Sequence, residues 1–362
     1  MPFKIIRNDI TKVKADAIVN TANPQPRIGR GTDSAIYNAA GPDRLLEDRR
    51  KIGVLSPGQC ASTDAYNLNA KYIIHTVGPA WQDGQHGETG ILRACYENSL
   101  RLAHELGCTS IAFPLIASGV YGFPKGEALN IALSEIGKFL LTHDITVILV
   151  VFDRKALELS ESLIGGVEQY IDETMAHQLR NQEYGNSYSD DRRQRRVQDY
   201  ADESAILGDI LAGEADEANC NCSTIDLSLQ FQVPEEEPSE KSLDDLLNTP
   251  AETFQQRLFQ LIDSSGMDDV TVYKKANIDR KVFSRIRCKA DYKPKKRTAL
   301  AFAIALELDM ATTLDLLSRA EIAFSPSNKF DLIITYFISH KVYDIYEINA
   351  VLFKYGQPIL GE

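Results

Sequence analysis

The chain has 362 residues, of which 44% are hydrophobic and 25% are charged, and its formal net charge at pH 7 is −12. This length predicts two domains, and the acidic balance argues against non-specific nucleic-acid binding by the molecule as a whole. No apolar run approaches the ~18 residues of a membrane span, the first residues do not resemble a signal peptide, and the six cysteines are scattered along the chain. We therefore expect a cytoplasmic protein with no membrane contact and no disulfide framework.

Strand-like and helix-like patterns alternate over roughly the first 170 residues. Strands are predicted at residues 3–6, 17–20, 71–77, 110–113 and 145–152. Apolar stripes at helical spacing predict helices at residues 92–106 and 127–141. The last strand, ITVILVVF, is a continuous apolar run, which is typical of a central strand covered on both faces. The alternation predicts an α/β sandwich.

The pattern changes near residue 180. Residues 179–247 are polar and then acidic, with no Lys or Arg from Leu211 to Glu240, and we predict a flexible acidic linker there. Cys220 and Cys222 lie in this segment without a second Cys or His pair nearby, so a zinc site is not expected. Residues 248–362 show seven helix patterns and no strand pattern, which predicts a separate all-α C-terminal domain.

Three loops rich in Gly and Asn follow predicted strands of the first domain, which we place at residues 1–178. They are Asn23–Asp33, His75–Pro79 and Phe113–Pro124. An open α/β sheet binds ligands beyond the carboxyl ends of its strands, so these loops are candidate binding elements.

The third loop contains Gly119 and Gly122 just before a predicted helix. Glycines let backbone amides approach a ligand closely, and a helix start binds anions, so a diphosphate would fit there. The loop matches neither G-x-G-x-x-G nor a P-loop, which argues against a dehydrogenase or an NTPase. The alternative is that these glycines only form tight turns.

Six ordered motifs resemble those of the macrodomain family. They are N-D-I-T at Asn8–Thr11, D-A-I-V-N-x-A-N at Asp16–Asn23, G-x-G-x-D-x-A-I at Gly29–Ile36, A-A-G at Ala39–Gly41, I-H-T-V-G-P at Ile74–Pro79, and F-P-x-I-x-S-G-V-Y-G-x-P at Phe113–Pro124. They are most similar to the MacroD-type branch, which hydrolyses ADP-ribose esters. The resemblance implies a three-layer α/β/α sandwich around a mixed six-stranded sheet, and a reaction that needs neither a metal ion nor a cofactor.

The resemblance also implies roles for individual residues. Asp9 would accept a hydrogen bond from the adenine amino group, beside the Ile10 amide. Asn23 would hold the distal ribose, and Asp33 would orient or activate a water for attack on the ester. The other implied ligand-binding positions are Asn20, Gly29, Arg30, Gly31, Ser118, Gly119, Val120, Tyr121, Gly122 and Phe152. As an alternative, Asp9 and Asp33 could each only cap the element that follows.

The chain departs from the family pattern before Asp33. Ile28 and Arg30 stand where the family has glycines, and Tyr37 replaces a usual His. Pro24, Pro26 and Arg27, just before Ile28, are also unusual. Arg30 could pair with a phosphate or turn to solvent, and a catalytic water tolerates little misplacement. We expect hydrolysis of O-acetyl-ADP-ribose or of ADP-ribosylated acidic side chains. A non-catalytic reader of ADP-ribose or of an ADP-ribosylated protein, or a nucleic-acid-binding sensor, is the alternative.

The C-terminal helices predicted at residues 270–276 and 280–287 resemble a Cro/repressor-type helix-turn-helix. In such folds the second helix enters the major groove of DNA. The residues expected on its exposed side are Lys281, Ser284, Arg285 and Lys289. DNA or RNA is therefore a candidate partner, and a helical interaction module with a solvated basic face is the alternative.

Overall fold

A computed structural model describes residues 3–152, 164–175 and 252–361 of the chain. The predicted linker, with Cys220 and Cys222, lies outside these ranges. None of the helices in the described ranges has the length and apolar character that a membrane crossing requires.

The first 151 residues contribute a six-stranded mixed sheet. Its strands are β1 (Phe3–Arg7), β2 (Ala17–Thr21), β3 (Cys60–Asp64), β4 (Tyr72–Thr76), β5 (Ser110–Pro114) and β6 (Thr146–Val151). Their order is β1-β6-β5-β2-β4-β3, and all neighbours are parallel except β3, which runs antiparallel to β4. The mixed sheet is confirmed, but strand periodicity missed β3 because its sequence CASTD is short, small and polar.

Helices cover both faces of the sheet. They are α1 (Thr32–Ala40), α2 (Pro42–Ile52), α3 (Glu88–Glu105), α4 (Lys125–Thr142) and α5 (residues 164–175). In β2, Ile18 packs into the core under α1 and α2, whereas Val19 packs into the core under α3 and α4. Alternate residues of a strand face opposite sides, so this split confirms the three-layer sandwich.

The C-terminal part is all-helical over residues 252–361, as predicted. Its helices are α6 (Phe254–Ser265), α7 (Asp269–Lys275), α8 (Arg280–Cys288), α9 (Lys296–Ala305), α10 (Met310–Ser318), α11 (Lys329–Ser339) and α12 (Ile345–Lys354). Side-chain caps explain where several of them begin, because Asp268, Asp279, Asp309 and Asp344 each accept a hydrogen bond from an amide of the first turn. Helix α9 is buried from Thr298 to Ala305 and forms the centre of the bundle.

The helical region packs directly on the edge of the sheet and on α4. The Tyr346 ring of α12 meets the Phe3 ring of β1 edge-on, with their centroids 5.5 Å apart. Asn277, in the turn after α7, accepts a hydrogen bond from the Phe3 amide (2.5 Å) and donates one to the Phe3 carbonyl (3.0 Å). The buried apolar residues of both regions therefore form one continuous core.

Candidate functional site

A cleft of about 600 Å³ opens at the carboxyl end of β2. One wall is the loop of residues 21–33, which we call the Asp33 loop, and the other is the loop of residues 115–122, which we call the Gly119 loop. A larger cavity of about 720 Å³ between α4, α9 and α12 contains none of the residues predicted for the site. The cleft between the two loops is therefore the candidate site.

Most of the predicted ligand-binding residues come together in this cleft. Those that line it are Asn23, Gly29, Arg30, Gly31, Asp33, Gly119, Val120 and Tyr121. Ser118 and Gly122 belong to the Gly119 loop but do not line the cleft, and they form hydrogen bonds within the loop. The Ser118 hydroxyl donates to the Leu115 carbonyl (2.9 Å), and the Gly122 amide donates to the Gly119 carbonyl (3.0 Å).

Three predicted residues lie outside the cleft lining, at the ends of β1 and β6. The Asn8 amide donates to the Val151 carbonyl, which places Asp9 and Ile10 beside the end of β6, where the Phe152 ring is 82% exposed. Asp9 does cap the short 3₁₀ turn that follows, because its Oδ1 accepts from both the amide and the hydroxyl of Thr11. These bonds lower the pKa of the Asp9 carboxyl, so it is an ionised acceptor at neutral pH.

The segment His75–Pro79 does not line the cleft and supports the Gly119 loop from beneath. A Cβ added to Gly78 would lie 3.1 Å from the Ala117 side chain, so this glycine permits close packing of the two segments. Trp81 also donates its amide to the Tyr121 carbonyl at 2.9 Å.

Asp33 lies in the first turn of α1 and is only 2% exposed. It does not cap the helix, because the N-cap residue is Gly31, so the simple capping interpretation is wrong. Its Oδ1 accepts a hydrogen bond from Asn20 Nδ2 at 2.6 Å, and its Oδ2 accepts one from the Gly29 amide. Burial raises the pKa of Asp33, while these two hydrogen bonds and the charge of Arg49 oppose that rise.

Gly29 is required for this arrangement. A Cβ at position 29 would lie 2.9 Å from Asp33 Oδ2, closer than non-bonded atoms approach. The second glycine of the pattern, Gly31, has a φ of +65°, which glycine adopts readily. The bulky residues of this loop do not take the place of either glycine. Ile28 precedes Gly29 and Arg30 lies between Gly29 and Gly31, and both side chains are exposed.

A chain of buried polar groups extends from Asp33 across the sheet. Asn20 Nδ2 lies 3.1 Å from His75 Nδ1, and His75 Nε2 lies 3.0 Å from the Thr63 hydroxyl. Burial, helped by the charge of Arg49, lowers the pKa of His75 to about 3. The imidazole is therefore neutral, with Nδ1 accepting from Asn20 and Nε2 donating to Thr63. His75 is a satisfied core residue, as expected, and Asn20 braces Asp33 from below the cleft.

Asn23 presents a donor to the cleft. Its Oδ1 accepts a hydrogen bond from the Gln25 amide at 3.0 Å, which folds the side chain against its own loop. Its Nδ2 has no hydrogen-bond partner within the described part of the chain, and the residue lines the cleft. This amide is thus available to a ligand hydroxyl.

One buried residue of the site was missed by sequence reasoning. Arg49 of α2 is 1% exposed, and its Nη2 donates to the carbonyls of Asn23 (3.2 Å) and Pro24 (3.3 Å). Helix α2 was itself missed because its sequence PDRLLEDRRKI is dominated by charge. The available signal was the pair Leu45 and Arg49, which lie four residues apart on one face of a helix that begins at Pro42.

Residues that could hold a metal lie away from the cleft lining. Oxygen or nitrogen atoms of Asp83, His86 and Glu88 fall within 4.8 Å of one another. The Glu88 carboxylate already accepts from the amides of Gln82 and His86, at 3.2 and 2.7 Å, so it fixes the loop before α3.

The comparison with known proteins covers this same half of the chain. The Macro domain family model matches residues 19–132. A macro domain-containing protein of Methanosarcina mazei is 46% identical over 154 residues, which are 42% of this chain and 82% of that protein. The chain belongs to the macro domain family.

Two further similarities concern proteins with a named activity or ligand. An O-acetyl-ADP-ribose deacetylase of Citrobacter rodentium is 48% identical over 139 residues, which are 38% of this chain and 78% of that protein. The solved Oceanobacillus iheyensis macrodomain with ADP shares 38% identity and covers 42% of this chain and 84% of its own, with a TM-score of 0.41.

Outside the macro domain, α7 and α8 are joined by residues 276–279, and α8 turns one basic face to solvent. The exposed residues on this face include the predicted Lys281, Ser284 and Arg285, and the predicted Lys289, directly after the helix, is exposed as well. Arg287, on the same helix, is instead held by Asp269 and lies over the Phe259 ring.

Proposed function

We propose that the macro domain of this chain hydrolyses ADP-ribosyl esters, namely O-acetyl-ADP-ribose and mono-ADP-ribosylated acidic side chains, as in the MacroD-type branch. The observation that carries this proposal is the Asp33 carboxylate, fixed by Asn20 and Gly29 and facing a cleft with the free Nδ2 of Asn23. The similarity to proteins named O-acetyl-ADP-ribose deacetylase supports it.

The Gly119 loop suits the diphosphate of such a substrate. The amides of Gly119, Val120 and Tyr121 donate no hydrogen bond to other described residues, and they line the cleft in succession. Ala117, at the start of this turn, has a φ of +61°, which is uncommon for a non-glycine residue. A run of unpaired amides of this kind is an anion-binding element. The adenine would then reach Asp9 and the exposed ring of Phe152.

The chemistry requires one water molecule. The ionised Asp33 accepts a hydrogen bond and then a proton from the water as its oxygen attacks the ester carbonyl carbon. The tetrahedral intermediate collapses with cleavage of the bond between the acyl carbon and the ribose oxygen, and the ribose oxygen takes the proton from Asp33 as it leaves, which regenerates the carboxylate. Asn23 Nδ2 donates to a hydroxyl of the distal ribose and so fixes the ester relative to that water.

The test combines turnover with binding. The wild-type chain and Asp33→Ala are incubated with O-acetyl-ADP-ribose and with a peptide ADP-ribosylated on Glu, and ADP-ribose affinity is measured by calorimetry. We expect wild-type turnover, and a loss of at least about 100-fold in kcat in the variant, as for removal of a general base. Wild-type binding of ADP-ribose without turnover would instead establish a reader. No binding at all would refute the assignment of the cleft.

The basic face of α8 favours a second function, which is binding of DNA or RNA. No ion pair neutralises Lys281, Arg285 or Lys289 within the described residues, although the chain as a whole carries a net charge of −12. We expect a salt-dependent mobility shift that Arg285→Ala weakens. Arg50→Ala removes the same charge from an exposed position on α2 and is the matched control. Equal effects of the two variants would reject a specific role for α8.

The cysteines agree with the cytoplasmic location that we propose. Cys60, Cys95, Cys108 and Cys288, which lie in the described ranges, are free thiols.

A further inference from the structure

Arg49 is among the largest fully buried side chains of the described residues, and no carboxylate forms an ion pair with it in those ranges. Its guanidinium is satisfied by backbone oxygens instead. Nη1 donates to the Gly53 carbonyl, and Nη2 donates to the carbonyls of Asn23 and Pro24, at 3.2 and 3.3 Å. An uncompensated buried charge is costly, and apolar side chains of similar volume fill buried space more favourably. A cation at this position therefore calls for a reason besides packing.

The carbonyls that Arg49 holds belong to the segment that carries Asn23. The Pro24 carbonyl also accepts from the Leu55 amide at 3.0 Å, so the guanidinium ties this segment to the end of α2 and to the residues that follow it. The Asn23 side chain is bent back onto Gln25 by its own hydrogen bond. A shift of the Asn23 carbonyl would therefore move the free Nδ2 in the cleft.

The charge of Arg49 also acts on the carboxylate of the site. The titratable groups around Asp33 are Tyr37 from α1, Arg49 from α2, His75 beyond Asn20 on β4, and Tyr121 from the Gly119 loop. The exposed side chains of Arg27 and Arg30, in the Asp33 loop, line the same cleft. Burial raises the pKa of Tyr37 to about 12, so it is neutral, and His75 is neutral as well. Arg49 is thus the buried cation among these groups, and its attraction for the Asp33 carboxylate is screened less than that of the exposed Arg27 and Arg30.

We infer that Arg49 is a positioning residue of the hydrolytic site: its guanidinium fixes the Asn23–Pro24 backbone, and its positive charge stabilises the Asp33 carboxylate. The inference rests on the proposed hydrolytic function. It assigns two separable tasks, since the backbone contacts need the planar fork of an arginine, whereas the electrostatic effect needs only a cation.

Two substitutions separate these tasks in the full-length chain. Arg49→Met keeps the volume and removes both the charge and the hydrogen bonds, whereas Arg49→Lys keeps the charge and loses most of the bonds. We expect kcat for O-acetyl-ADP-ribose to fall in both, by about 10–100-fold, because a small misplacement of reacting groups has an effect of that size. The KM should change less than kcat. The acid limb of the kcat–pH profile should move to higher pH in Arg49→Met and stay in place in Arg49→Lys.

The neighbour Arg50 is exposed and supplies the control, because Arg50→Met should leave kcat, KM and the pH profile unchanged. Titration of the Asp33 carboxyl by carbon NMR tests the electrostatic task independently of turnover, so it remains decisive if the wild type shows no hydrolysis and the proposed function fails. A folded Arg49→Met with an unchanged Asp33 titration and an unchanged acid limb would overturn the inference. If Arg49→Met does not fold, Arg49→Gln serves as the variant without the charge. An acid limb that moves as far in Arg49→Lys as in Arg49→Gln would then overturn the inference, because only the lysine keeps the positive charge.

Discussion

The Asp33 carboxylate accepts hydrogen bonds from two parts of the chain, the strand β2 and the Asp33 loop, and the buried cation of α2 lies nearby. Each of these groups affects the pKa of the Asp33 carboxyl. Burial favours the neutral acid, whereas the donors and Arg49 favour the carboxylate that a general base requires. The proposed role of Asp33 as a base therefore depends on Asn20, Gly29 and Arg49.

Gly29→Ala tests how closely the carboxylate is confined. The added methyl carbon would lie 2.9 Å from Asp33 Oδ2, so the carboxylate must move. We expect kcat to fall about 10–100-fold with a smaller change in ADP-ribose affinity. Gly90→Ala is the control, since a Cβ there meets no atom within 4 Å. Equal activity of the two variants would contradict the geometry.

His75 predicts how stability depends on pH. Its pKa falls from 6.5 to about 3 on folding. Between these values the unfolded chain binds a proton that the folded protein excludes, so this residue lowers the free energy of unfolding as pH falls below 6.5, by up to about 1.4 kcal/mol per pH unit. Urea unfolding between about pH 7 and 5 measures the slope. His75→Gln should flatten it, and an unchanged slope would show that the imidazole is protonated to the same extent in the folded and the unfolded chain, contrary to the expectation.

At the scale of elements, the outer edge of strand β1 forms hydrogen bonds with a side chain rather than with another strand. Asn277 supplies both an acceptor and a donor to the backbone of Phe3, and also donates to the Leu360 carbonyl at 3.3 Å. Its own φ of +55° is a conformation that Asn tolerates better than most residues. One residue thus connects the sheet, the turn after α7 and the segment that follows α12.

Removal of this connection should destabilise the whole described unit. Asn277→Ala leaves the amide and the carbonyl of Phe3 without their partner, whereas the Leu360 carbonyl keeps its hydrogen bond from Asn349 (3.2 Å). We expect a loss of about 2–4 kcal/mol in the free energy of unfolding. Asn277→Gly separates the loss of hydrogen bonds from backbone strain, because glycine adopts the positive φ without strain but makes none of the side-chain hydrogen bonds. Asn130→Ala, at an exposed position of α4, should change stability little. A loss confined to Asn277→Ala would attribute the effect to backbone strain instead.

At the scale of the whole molecule, the macro domain and the helical region share their apolar core. The Tyr346 ring packs between Phe3 of the sheet and Gly137 of α4, where a Cβ on the glycine would lie 2.9 Å from the ring. Because each region buries surface of the other, we expect them to unfold together rather than as two independent units.

The single tryptophan makes this expectation measurable. Trp81 reports on the macro domain through its fluorescence, whereas far-ultraviolet circular dichroism is dominated by helices, including those of the C-terminal region. The two signals should give one midpoint in urea. Tyr346→Ala should lower both midpoints together, with a cost of about 1–3 kcal/mol for a partly buried aromatic side chain. Separate midpoints in the wild type would show that the shared core is not cooperative.

Local sequence patterns predicted the elements that have strong local signals. Helix α8 was expected at residues 280–287 and runs Arg280–Cys288, since an Asp cap and an apolar stripe mark it. The missed elements include β3 and α2, which have few apolar residues and which tertiary contacts form instead: β3 pairs with β4, and α2 buries Leu45 and Arg49. Helix α5 was not predicted either.

The macro domain motifs, in order and at their spacing, were sufficient to determine the sandwich, the cleft and the two loops that line it. Three contacts became visible only in the tertiary structure. Asn20 binds Asp33 and continues through His75 to Thr63, Arg49 binds the Asn23 carbonyl, and Asn277 binds the outer edge of β1. The physical reason is the distance along the sequence over which each interaction acts. Helix periodicity and capping act within a few residues, whereas Asn277 and Phe3 are 274 positions apart and meet only when both regions have buried their apolar faces.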